Sequence, residues 1–215
     1  MSEFSFIEKV FIWAIPVLFA ITVHEVAHGW LAYQLGDSTA KSSGRITLNP
    51  VKHIDPVGTV VLPLILLFIG SIIFGWAKPV PVNWKNLRNP RRDMALVALA
   101  GPAANLLMVI IWAVMAKLLI IIAGNLALTQ LLLAMCSAGI IINIVLMVLN
   151  LFPVLPLDGG RVMAAVLPVS WAKYYSRLEP FGLIIVVVLL VTLFTTGIWG
   201  KLIRPLIRLM EIFVY

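Results

Sequence analysis

The chain has 215 residues, 62% of them hydrophobic and 12% charged, with a net charge of +7 and a mean hydropathy of +1.07. Soluble domains carry about half apolar and about a quarter charged residues, so the bilayer must solvate most of this chain. Its basic residues sit in short loops beside apolar segments, a pattern of membrane topology and anionic headgroups that excludes a nucleic-acid partner.

The first apolar segment, residues 6–35, has a helical pattern and lacks the basic leader of a signal peptide, so it is read as retained. Gly36-Asp37 ends it. Residues 37–56 are polar and turn-rich, and Arg45-Ile46-Thr47-Leu48 has the character of a short strand. Residues 57–74 are apolar but carry Pro63 and Gly70. A basic loop, 76–93, follows; its Lys78-Pro79-Val80-Pro81-Val82 cannot be helical, because two prolines remove donors and fix φ. Residues 94–122 and 126–149 are long apolar helices. Between 150 and 161 lies an extended turn rich in proline and glycine. Residues 181–194 form a further apolar segment. In the tail, Lys201, Arg204, Arg208 and Glu211 recur at helical spacing on one face, as in an interfacial amphipathic helix or a span with a polar side turned inward. Cys136 is the single cysteine, so an internal disulfide is excluded. The expected fold is all-α: one polytopic helical bundle over residues 1–215, with a core at 6–161, C-terminal helices at 178–215, a re-entrant segment and short β-type loops near the active site.

His24-Glu25-Val26-Ala27-His28 is an H-E-x-x-H sequence on the first helix. Residues four apart share a helix face, so both imidazoles reach one metal ion, and zinc accepts imidazole nitrogen readily. Glu25, beside the first ligand, is placed to take a proton from an attacking water and pass it to the leaving amine. A purely structural trio is the competing reading. In an apolar helix it is the weaker one, since a charged group at mid-bilayer costs roughly 2–3 kcal/mol and marks function by default. A catalytic zinc needs a third protein ligand. The chain offers His53 and its acidic residues, among which Asp158 is best placed, in a turn that unwinds at the end of an apolar segment. The alternative for Asp158 is a plain helix N-cap.

These residues resemble the site-2 protease family of intramembrane metalloproteases. The resemblance rests on H-E-V-A-H at 24–28, G-P-A-A-N at 101–105 and N-L-F-P-V-L-P-L-D-G-G-R at 150–161, and it spans residues 15–161. It implies one Zn2+ held by His24, His28 and Asp158, with Glu25 as the base, acting on membrane proteins or peptides as substrates. N-P-x-x-H-x-D-P at 49–56 and W-A-K-P-V-P-V-N at 76–83 resemble a compact bacterial subgroup. The chain has no room for the PDZ or CBS domains of larger members, so their substrate selection does not carry over.

The metal site constrains topology. His24 lies roughly 27 Å along its helix from Phe6 at about 1.5 Å per residue. For Asp158 to meet it, an even number of crossings must intervene. Segments 94–122 and 126–149 are long enough to span, so 57–74 is expected to turn back rather than cross. Loops 36–56, 76–93 and 159–177 are basic, which puts them and the zinc toward the cytosolic face of the cell membrane.

Asn105 and Asn150, at helix ends near the site, are candidates for binding substrate backbone or the oxyanion, or else for capping. His53 is a candidate for a site role or an ordinary loop residue. Residues 45–48 and 80–82 have the potential to take an unwound substrate as an added strand, or to be plain loop. A transporter using buried His and Asp relays, and a non-catalytic scaffold, are the competing functions. The compact cluster and the lack of an inverted repeat oppose the first, and the intact ligand set opposes the second.

Overall fold

A computed structural model describes residues 4–61, 78–122 and 127–215, and helices dominate them. Helix α1, Phe6–Gln34, starts on a capping box. The Ser5 hydroxyl accepts the Glu8 N–H at 3.3 Å, and the Glu8 carboxylate accepts the Ser5 N–H at 2.7 Å. A short turn of helix, α2 (Thr39–Ser42), follows. Pro90 opens α3 (Pro90–Ile122), where its missing N–H is no loss, and Asp93 folds back to accept the Asn89 N–H at 2.8 Å. Then come α4 (Ala127–Asn150), α5 (Asp158–Val166), α6 (Val169–Ser176), α7 (Gly182–Thr195) and α8 (Ile198–Val214).

Four stretches are long and apolar enough to cross a membrane: Phe6–Gln34, Pro90–Ile122, Leu128–Asn150 and Val169–Thr195. Their outward faces carry exposed Phe11, Leu107, Ile110 and Val188, as expected of helices solvated by lipid. Helices α1, α3 and α4 form the centre. Residues 20 and 24 of α1 meet residue 105 of α3, and residue 28 meets residue 97, so the two run antiparallel. Helix α4 is antiparallel to α3 in turn: residue 105 meets 143, and 112 packs on 139. The end of α1, the start of α3 and the end of α4 therefore share one face of the bundle, as the crossing argument requires.

At the opposite flank, Val109, Trp112, Ala113 and Ala116 of α3 pack with Cys136, Ile140 and Ile144 of α4. Helix α8 lays Ile203, Leu206, Ile207 and Met210 against them and keeps Lys201, Arg204, Arg208 and Glu211 exposed, so the polar stripe of the tail is its outer side. Gly197, at φ +69°, makes the left-handed turn that folds α8 back from α7.

Among the described residues no strand forms. Residues 45–48 include bends and 78–83 has no regular secondary structure, so the short β-type loops expected near the site are irregular loops. Most of the expected re-entrant segment, 57–74, lies outside the described residues. The chain on either side of it is joined: the Lys78 N–H donates to the His53 carbonyl at 3.0 Å.

One buried carboxylate organises the polar face. Asp37, fully buried, accepts the Thr39 N–H at 3.1 Å, the Asn83 N–H at 2.7 Å and the Asn86 side-chain N–H at 2.9 Å. Together with Arg45, whose guanidinium donates to the Lys78 carbonyl at 2.7 Å, it straps residues 78–86 across the end of α1. Burial acts to raise the pKa of Asp37, but the hydrogen bonds from Thr39, Asn86 and Asn83 outweigh it and hold the pKa below the ordinary value. Its contribution to stability is thus in place above about pH 4 and fades as pH falls through the depressed pKa. Asp37→Ala strands these buried donors and is expected to cost about 2–3 kcal/mol. A thermal unfolding midpoint in detergent equal to that of the wild type would contradict this assignment.

Candidate functional site

His24 and His28 lie on the face of α1 that meets α3. They fit there because Gly101 has no side chain. A Cβ at 101 would stand 2.5 Å from His24 Cε1, 2.6 Å from His24 Nε2, and closer still to His28 Nε2. Asp158 arrives from the far end of the chain, at the first position of α5. Gly159 lets the turn at Leu151 and Phe152 pack directly on that helix start.

The three side chains converge. His24 Nε2 and His28 Nε2 are 3.0 Å apart, and Asp158 Oδ2 lies 3.2 Å from the first and 3.3 Å from the second. Each imidazole is tied at its other nitrogen. His28 Nδ1 bonds the Val97 carbonyl at 2.7 Å, and His24 Nδ1 bonds Asn105 Oδ1 at 2.6 Å. Oxygen acceptors at both Nδ1 atoms put the ring protons there, so neutral rings turn bare Nε2 lone pairs toward each other and toward the carboxylate. Asp158 Oδ2 is buried with no hydrogen-bond partner, and no side-chain cap bond forms at the start of α5, so the carboxylate is not an N-cap.

This arrangement has the donor set and spacing to hold one cation. A proton can sit between only two of the three lone pairs, whereas a metal ion satisfies all three. Donors on a tetrahedral zinc with bonds of about 2.0–2.1 Å stand about 3.3–3.4 Å apart, close to the spacing here. His24, His28 and Asp158 are thus the group of side chains that fits a metal among the described residues.

They open on a cavity of about 320 Å³ that is also lined by Glu25, Val80, Trp84, Asn150 and Arg161. Glu25 Oε2 accepts the Val80 N–H at 2.6 Å. The Asn150 side-chain nitrogen donates back to the Leu146 carbonyl at 3.0 Å, which points its oxygen elsewhere. Arg161 pairs with Glu179 and stacks 5.7 Å over the Trp84 ring.

The other two candidates are not on this cavity wall. Asn105 is fully buried behind His24, and its amide nitrogen is committed to Asn143 Oδ1 at 2.9 Å and to the Ala20 carbonyl at 3.3 Å. His53, 2% exposed, bonds the Thr47 carbonyl at 2.9 Å and shapes its own loop. Sequence reasoning missed Asn143, although an amide inside an apolar helix is itself a signal. It also missed the Val80 N–H, a backbone donor that no residue type announces.

Comparison with known proteins agrees with the geometry. Residues 115–193, which include Asp158, match the model of peptidase family M50. The chain is 38% identical over 184 residues to YwhC of Bacillus subtilis, named as a candidate zinc metalloprotease; the match covers 83% of this chain and 79% of that one. It is 29% identical over 180 residues to Rip2 of Mycolicibacterium smegmatis, named likewise, covering 81% of this chain and 64% of the relative. Rip2 of Mycobacterium tuberculosis is 27% identical over 176 residues, covering 80% and 63%. No solved structure matches the chain.

Gly101→Ala tests the close approach of α3 to the rings. It is expected to leave helicity unchanged while zinc affinity falls by about tenfold or more. Equimolar zinc, retained at wild-type affinity in the purified variant, would show that the rings do not need this space.

Proposed function

From the premise that this chain belongs to peptidase family M50, and is therefore a membrane-embedded zinc metallopeptidase, we propose that it hydrolyses peptide bonds within or beside the membrane-spanning segments of other proteins. The observation that carries this reading is the convergence of two bare imidazole nitrogens and an unpartnered carboxylate oxygen beside Glu25, in an apolar bundle. His24, His28 and Asp158 would hold the zinc. When bound there, the ion supplies Lewis-acid activation of water and polarises the scissile carbonyl.

The chain's own groups do the rest. Val80 holds Glu25 Oε2, which leaves Oε1 to take the proton of the attacking water and return it to the departing amide nitrogen. Asn150, with its nitrogen committed to Leu146, presents an oxygen that can accept a substrate backbone N–H. Pro79, Val80 and Val82 line the cavity wall, and along them an unwound substrate would lie. The lipid bilayer is both solvent and source of substrate. The whole chain acts as one catalytic domain, in which the core at 6–161 carries every site residue and the helices at 178–215 brace it.

Charge supports an orientation. Lys41, Arg45, Lys52, Lys78, Lys85, Arg88, Arg91 and Arg92 fall between α1 and the first turn of α3, and Arg161, Lys173 and Arg177 follow Asp158. The positive-inside rule then puts the site toward the cytosol in the cell membrane. Cys136 is buried, so a cysteine at exposed Lys52 reports alone. Lys52→Cys is expected to react with an impermeant maleimide in inverted vesicles and not in right-side-out cells, and the reverse pattern would invert the proposed topology.

The catalytic reading is tested by Glu25→Gln, which should retain zinc and lower cleavage of a membrane-spanning peptide by about 10²–10⁴-fold. Normal turnover in that variant would defeat the mechanism. His24→Ala and Asp158→Ala should each lose zinc, and wild-type zinc content in both would remove them as ligands.

A further inference from the structure

The two imidazoles are fixed by different means. His28 Nδ1 faces the Val97 carbonyl, which can only accept, so its tautomer needs no further support. His24 Nδ1 faces a side-chain amide, which can present either its oxygen or its nitrogen. With the nitrogen presented, His24 would carry its proton on Nε2 and could not ligate a metal. Something must therefore decide which way the Asn105 amide points.

We propose that Asn143 of α4 is a positioning residue that fixes the tautomer of His24 through Asn105. The polarity of the relay is set at its far end by backbone. The Asn143 side-chain nitrogen donates to the Gly139 carbonyl at 2.8 Å, which leaves Oδ1 as the atom facing Asn105 at 2.9 Å. An oxygen there accepts only, so Asn105 must turn its nitrogen toward Asn143 and its oxygen toward His24. The Ala20 carbonyl, 3.3 Å from the same nitrogen, agrees with this direction. Reversing the relay would set Asn143 Oδ1 against Gly139 O and Asn105 Oδ1 against Ala20 O. Both amides are fully buried, so no bulk water relieves two such acceptor–acceptor contacts. Removing Asn143 leaves only the long bond to Ala20 to hold the amide. The consequence for zinc rests on His24 being a ligand, as proposed above; the tautomer itself does not.

The test reads the tautomer on full-length, metal-stripped protein in nanodiscs, using ¹⁵N-histidine resonances at a pH above the histidine range. Only three histidines contribute, and His53→Gln assigns one of them. In the wild type, His24 and His28 should both show protonated Nδ1. In Asn143→Leu, His24 should gain the Nε2–H form while His28 is unchanged, and zinc affinity should fall by about 10–100-fold in a chelator competition. Asn143→Asp, as the neutral acid with its hydroxyl donating to the Gly139 carbonyl in place of the amide nitrogen, keeps an acceptor oxygen toward Asn105, so tautomer and zinc affinity should stay within about threefold of wild type. The proposal is overturned by Nε2–H on His24 in the wild type or in Asn143→Asp, or by an unaltered His24 tautomer in Asn143→Leu. If the leucine variant does not fold, the other two spectra still decide. The predicted tautomers in a wild-type chain that binds no zinc would instead reject the metal reading and leave the relay standing.

Discussion

Helix α3 approaches α1 so closely that any side chain at residue 101 would collide with two imidazoles, and it can do so because that residue is glycine. That approach delivers the Val97 carbonyl and the Asn105 amide to the far nitrogens of the rings. It also fixes the height at which Asp158 must enter. In a lipid environment, where apolar side chains gain little by leaving solvent, close packing at small residues and buried hydrogen bonds carry the association of helices. The polar cluster is therefore both the candidate site and part of the cement between α1, α3 and α4.

The residues that make the site were legible where chemistry forces a local pattern. Two histidines one turn apart on an apolar helix declare a shared target. Asp158 stood out because carboxylates are few and because its turn breaks an apolar run. The antiparallel order of α1, α3 and α4 followed from requiring those residues to meet. What could not be read depends on pairing across the fold. Asp37 looks like a helix stop, yet it gathers donors from residues 83 and 86. His53 looks like a spare ligand, but its loop folds it onto Thr47. Asn105 looks available to substrate because the sequence does not show that Asn143 and Ala20 already occupy it.

The C-terminal helices show the same division. The stripe of Lys201, Arg204, Arg208 and Glu211 identified an amphipathic helix, and its apolar side does bury against α3 and α4. Its position relative to the rest was set by the left-handed turn at Gly197 and by the ledge of Val109, Trp112 and Ile140, neither of which a local pattern specifies. Brace and site sit on different parts of α3: the brace contacts residues 109–116, and the site uses 97–105.

The stretch Pro79-Val80-Pro81 offers the cavity a single backbone N–H, because its two prolines have none. Glu25 holds that one donor, and Asp37 and Arg45 anchor the strap beyond it on either side. A slip of one residue in either direction would face Glu25 with an imide nitrogen and leave the carboxylate oxygen with nothing to accept. The alternation thus works as a ratchet tooth: it admits one alignment of strap to helix and penalises its neighbours.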